Sequence, residues 1–125
     1  MYKYGEHTAD LEVFVEAESF EKLIEESVKA VSKAIASRVE GSGKRKIEVE
    51  GSEEEVLFEV LEEVVFLQSQ GFYVKDVKVK RRGKKIVVEL IGGKARAKDE
   101  IKAITWHEFW VRKNERWEAH FICDV

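Results

Sequence analysis

Glu100-Ile101-Lys102-Ala103-Ile104-Thr105-Trp106-His107, running on into Phe109, Trp110 and Val111, is the stretch on which the fold turns. Bulky side chains occupy both parities of this run, with Ala103, Phe109 and Val111 on one side and Ile104, Trp106 and Trp110 on the other. A strand with one wet face alternates, so a strand apolar on both faces is expected to be central in its sheet or covered by a second layer. A polar turn at Lys113-Asn114 separates it from a last strand, Arg116 to Asp124. The chain is therefore expected to finish inside structure rather than in a tail.

Upstream, the periodicities are simple. Ala9, Leu11, Val13 and Val15 alternate with Thr8, Asp10, Glu12 and Glu16, which reads as a half-buried strand over Thr8 to Ala17. Ser19 precedes Phe20, Leu23, Ile24, Val28, Val31 and Ile35, the pattern of an N-capped amphipathic helix ending near Ser37. Gly41-Ser42-Gly43 is read as the break after it, followed by a short strand from Lys46 to Glu50. Ser52 with Glu55 forms a capping-box pattern that opens a second helix, whose stripe is Leu57, Val60, Leu61, Val64 and Leu67. Phe72 to Lys80 and Lys85 to Leu90 flank Arg82-Gly83-Lys84 as a hairpin closed by Gly92-Gly93. The expectation is an α+β two-layer sandwich: a largely antiparallel sheet of about six strands with two amphipathic helices on one face, in one domain spanning residues 1–125.

Composition narrows the function classes. The 125 residues are 44% hydrophobic, enough for a real core, and the net charge is −3 from 22 basic and 25 acidic residues, so no bulk attraction to nucleic acid is implied. A lone cysteine, Cys123, excludes an intrachain disulfide and a cysteine-built zinc site, and fits a reducing compartment. No stretch approaches the roughly 20 apolar residues of a membrane span, and Met1 to His7 lacks a signal-peptide core; a cytoplasmic protein with no membrane partner is expected. Charged residues reach 38%, proline is absent and thermolabile residues are scarce, a composition that leans toward a heat-adapted source.

Two carboxylates stand out by position. Asp10 lies near the start of the first strand and Asp124 at the end of the last, both on the polar side of their alternation. If these strands pair antiparallel, their Cα atoms lie about 5 Å apart. Like charges that close call for a proton or a cation between them, and the carboxylate of Val125 would add a third oxygen donor. An all-oxygen set suits calcium or magnesium rather than zinc; the competing reading is two solvated strand-end aspartates. His7, His107 and His120 lack zinc-motif spacing, and a Lys102/Thr105/His107 proton-transfer site can be drawn but has no nucleophile motif beside it. The basic run Lys78, Lys80, Arg81, Arg82, Lys84 and Lys85, continued by Lys94, Arg96 and Lys98, either contacts phosphates or protects an edge strand, and it carries no interleaved aromatic.

Gly5-Glu6-His7-Thr8-Ala9-Asp10, the run Glu55 to Leu67, the E-I-K-A-I-T-W-H block and the closing W-E-A-H-F-I-C-D-V together resemble the archease family, in order across nearly the whole chain. Trp106 stands where that family more often has Tyr, and the loop from Gly92 to Asp99 is short and more basic than usual. The resemblance implies an accessory protein of the GTP-dependent tRNA-splicing RNA ligase, not itself an enzyme, which assists guanylylation of the ligase and its repeated turnover. It also implies a divalent cation, calcium before magnesium, held by aspartates: Asp10 of H-T-A-D and the penultimate Asp124, with Val125 next to it. His7, Lys102 and His107 are then supporting or partner-facing, and RNA contact is indirect or weak. A small metal-dependent hydrolase or nucleotidyl-transfer enzyme, and an RNA-binding chaperone, are the alternatives from other classes.

Overall fold

The computed structural model describes residues 1–5 and 10–125. Its elements are β1 (Tyr2–Gly5), β2 (Asp10–Ala17), α1 (Phe20–Ile35), β3 (Ala36–Val49), α2 (Glu53–Ser69), β4 (Tyr73–Arg82), β5 (Lys85–Ala97), β6 (Ala103–Lys113) and β7 (Trp117–Asp124). The strands form two antiparallel sheets, one ordered β1-β2-β7-β6 and the other β3-β5-β4. The expected α+β class is correct. The single sheet of about six strands is instead two sheets with seven strands among the described residues.

Both helices form for the reasons their spacing implies. Ser19 caps α1 by accepting from the Lys22 N–H at 3.1 Å, and Phe20, Leu23, Ile24, Val28, Val31 and Ile35 are all buried. The capping box of α2 is complete: the Ser52 N–H donates to Glu55 Oε1 at 3.1 Å and the Glu55 N–H donates to Ser52 Oγ at 3.2 Å. Hydrogen bonding from the Ser52 N–H, and after it from the Ser52 side chain, holds the Glu55 carboxyl below its ordinary range. α1 packs on β4 of one sheet and β2 of the other, while α2 packs on β6 and β4. The helices thus tie the sheets together around a core centred on Leu23, Leu57, Leu61, Leu90 and Phe121.

The glycine pairs have a different role from the one their sequence suggests. β3 leaves α1 directly at Ala36 and runs through Gly41-Ser42-Gly43, which lie in the strand rather than between elements. Its pairing with β5 shifts register between Ala36 and Val39 and again between Glu40 and Gly43, with Gly43 opposite Gly92. β5 likewise continues through Gly92-Gly93 to Ala97. A Cβ on Gly92 would collide with the Tyr73 carbonyl oxygen, and one on Gly93 with that of Glu40. Glycine marks close backbone approach here, not a chain break.

Of the two places expected for β6, the structure takes the second, a strand covered by another layer. It is an edge strand, not a central one, and its second layer is α2, whose Phe58 ring stacks on Trp106 with centroids 3.9 Å apart. Simple alternation also fails along it. Thr105 pairs with Ile122 and Trp110 with His120, so Trp106 to Phe109 are set against Phe121 alone. Glu108 absorbs the excess with a φ of 55°. The bulge reverses the parity of the strand, so Ile104 joins Phe109 and Val111 on the core side while Ala103 and Trp110 share the opposite face.

Gly92→Ala should lower stability by about 1–3 kcal/mol, since the colliding atom is backbone and cannot swing away. Urea denaturation of the variant measures this; an unchanged midpoint would mean that the strands separate freely at that point.

Candidate functional site

The β2–β7 ladder decides which side chains meet. Its register runs from Asp10 opposite Asp124 to Ala17 opposite Trp117. Val13, Val15 and Ala17 on β2, and Ala119, Phe121 and Cys123 on β7, turn into the core. Asp10, Glu12, Phe14 and Glu16, with Glu118, His120 and Asp124, therefore share the other face. Asp10 and Asp124 are cross-strand partners, as the antiparallel arrangement requires; Asp10 is half-buried and Asp124 exposed.

The remaining sequence-nominated residues divide. Lys102 lies beside the carboxylate pair, its N–H donating to the Asp124 carbonyl at 2.7 Å, and Ala103 is the β6 partner of Asp124. Val125 follows directly and is 40% exposed. His107 stands apart on the bulge: it is exposed, its Nε2 is 3.7 Å from Glu108 Oε2, and no hydrogen bond or ion pair among the described residues joins it to either aspartate. His7 lies outside the described residues.

The donor chemistry fits a hard cation. Among the described residues no cluster of three or more His, Cys, Asp or Glu side chains is assembled, so a cation held by this pair would have to complete a six- to eight-oxygen shell with water and main-chain oxygens. Cys123 cannot contribute sulfur. Its side chain is fully buried on the core side, and burial, with the Asp10 charge second, pushes its thiol up to about 12.

Sequence reasoning left His120 as an isolated histidine, whereas the fold gives it a built environment. Its side chain is 5% exposed, Nε2 lies 2.6 Å from Glu12 Oε2, and Nδ1 lies 2.5 Å from the Glu108 carbonyl oxygen. A carbonyl only accepts, so Nδ1 is the donor to Glu108. Phe14 and Trp110 flank the ring, with centroids 4.7 and 5.7 Å away. The signal was available: counting inward from an Asp10–Asp124 pair sets Phe14 opposite His120 and Glu12 two rows away on the same face. The bulge that brings Glu108 to the ring had no such signal.

Fold and site together define a small antiparallel α+β domain whose strand β2 is zipped to its last strand, with two aspartates opposed where that ladder ends. The chain belongs to the archease protein family (MTH1598/TM1083), whose sequence profile matches residues 2–125. It is 30% identical over 139 aligned positions to the archease of Pyrococcus abyssi, covering 99% of this chain and 98% of that one. With the archease of Methanopyrus kandleri it shares 33% over 135 positions, covering 96% of each. Two solved structures share the fold at a TM-score of 0.73. One is the Thermotoga maritima crystal structure described as an archease and possible chaperone, 23% identical and covering 100% of this chain and 98% of that one. The other is the solution structure of Methanobacterium thermoautotrophicum protein 1598, 19% identical, with coverage of 99% and 98%. No helix among the described residues is long and apolar enough to cross a membrane.

Glu12→Ala should cost about 1–3 kcal/mol by stranding a buried imidazole nitrogen, measurable by chemical denaturation; a neutral result would show that water replaces the carboxylate. The Cys123 thiol should resist alkylation at mildly alkaline pH until the chain unfolds. An unfolded thiol ionises near 9.0 and the folded one only near 12, so the protonated thiol favours the fold below 9.0 and stability falls as pH climbs through that interval. Rapid native-state labelling would contradict this.

Proposed function

We propose that this archease is an accessory protein of the GTP-dependent tRNA-splicing RNA ligase, assisting guanylylation of the ligase and its repeated turnover without itself being the catalyst. Family membership supports the partner, and the register that opposes Asp10 to Asp124 carries the site. In this reading the two carboxylates and a main-chain oxygen of Val125 hold a divalent cation, calcium by preference and magnesium second. Such a cation relieves the repulsion between two like charges and supplies positive charge at a sheet end that is otherwise acidic. Lys102, whose N–H donates to the Asp124 carbonyl, is then a supporting or partner-facing residue together with His7 and His107.

RNA contact is secondary in this proposal. Arg81 is tied to α1 through Glu21, its Nη2 donating to Oε1 at 3.1 Å, so part of the basic hairpin is engaged within the fold. The natural setting is the cytoplasm, beside the ligase.

With ligase limiting and substrate in excess, Asp10→Ala and Asp124→Ala should fold yet return ligase turnover to the level of ligase alone. Calcium calorimetry should give a binding heat with the unsubstituted protein and none with the same variants. Unchanged turnover in both would make the carboxylate pair incidental, and turnover by the isolated chain would favour an enzyme.

A further inference from the structure

The seam between α2 and β6 presents the most prominent aromatic surface among the described residues. Phe66 is 56% exposed and Trp106 54%, although Trp106 stacks on Phe58 and meets Phe109 edge-on. Phe58, Glu62, Val65 and Phe66 fall at i, i+4, i+7 and i+8 of one helix, a single stripe facing β6. Phe66 forms the ridge between two open grooves. The first, about 530 Å³, is lined by Ile47, Val49, Glu59, Glu62, Glu63 and Phe66. The second, about 320 Å³, runs past Glu62, Val65 and Glu100 to Lys102 and Ala103, and so reaches the strand partner of Asp124.

Charge selects the occupant. Apart from Glu48, which lies 3.9 Å from the Lys85 ammonium, Glu59, Glu62, Glu63 and Glu100 line the grooves against one ammonium, that of Lys102, and none of these last five groups is in an ion pair among the described residues. A polyphosphate backbone would be repelled here. A second copy of the chain matches poorly: neither its groove of Lys46, Lys78, Lys80 and Arg82 nor that of Arg38, Lys94 and Arg96 has a large exposed apolar side chain in its lining to meet Phe66. Exposed aromatics rimmed by unpaired carboxylates match a protein surface that offers an apolar pocket surrounded by Lys and Arg.

We infer that the α2–β6 seam, with Phe66 and Trp106 as anchors, is the face that docks a basic, apolar-pocketed surface of the partner protein, and sets the Asp10–Asp124 pair at the edge of that interface. This rests on the ligase reading above and names the face through which the ligase is held. Aromatic anchors supply affinity and the carboxylates supply orientation and encounter rate.

The test is direct binding of purified ligase to the full chain by calorimetry, with turnover measured in parallel. Phe66→Ser should weaken association about tenfold or more, while Phe66→Leu retains it. The double reversal Glu62→Lys with Glu63→Lys should also weaken it and reduce the salt sensitivity of the remaining binding. Asp10→Ala should lose stimulation while its affinity falls less than that of Phe66→Ser, separating docking from the cation site. Wild-type affinity in both Phe66→Ser and the double reversal would overturn the docking face while leaving the ligase reading intact. No association by the unsubstituted protein would remove both, and a self-associated form dispersed by Phe66→Ser would assign the seam to a second copy instead.

Discussion

The antiparallel ladder between β2 and β7 is the constraint on which the rest depends. It joins residues a hundred or more positions apart in sequence, from Asp10–Asp124 to Ala17–Trp117. Forming it closes the chain almost end to end, an entropic cost that grows only slowly with loop length and is offset by burying Val13, Val15, Phe121 and Cys123 against the helices. Register is firmly specified because a slip of one residue would turn Phe121 to the outer face and His120 into the core. The same register opposes the two aspartates, so site and core are consequences of one pairing.

β6 shows how a local cost is carried by tertiary contacts. The left-handed conformation of Glu108 costs roughly 1–2 kcal/mol for a residue with a Cβ. Its carbonyl accepts from His120, a bond worth about 0.5–1.5 kcal/mol net, and the bulge lets Trp106 stack on Phe58 while Phe109 meets Phe58 and Phe121. Each such ring pair adds about 0.5–1.5 kcal/mol beyond burial, so together these contacts exceed the strain. The bulge also returns Ile104 and Val111 to the same side of the sheet despite their odd separation.

A net charge of −3 conceals a divided surface. The α2 side carries unpaired carboxylates beside exposed aromatics, while the sheet of β3, β5 and β4 carries Lys46, Lys78, Lys80 and Arg82 in one groove. Opposite fields on different faces orient a partner before contact, which summed composition cannot express.

Read alone, the sequence determined whatever depends on neighbours a few residues apart: the stripes of α1 and α2, the Ser19 cap, the Ser52–Glu55 box and the hairpin at Gly83. The H-T-A-D and terminal aspartate segments also pointed to the family and the carboxylate pair. Tertiary structure decided what depends on distant backbone. Gly41, Gly43, Gly92 and Gly93 read as breaks because glycine permits both turns and close approach, and only the crossing of β3, β4 and β5 selects the second. The split into two sheets, the edge position of β6, the burial of His120 between Glu12 and Glu108, and the exposure of Phe66 beside Glu62 on α2 were equally hidden. Periodicity records which side chains share a face of one element; it carries no record of which other element covers that face.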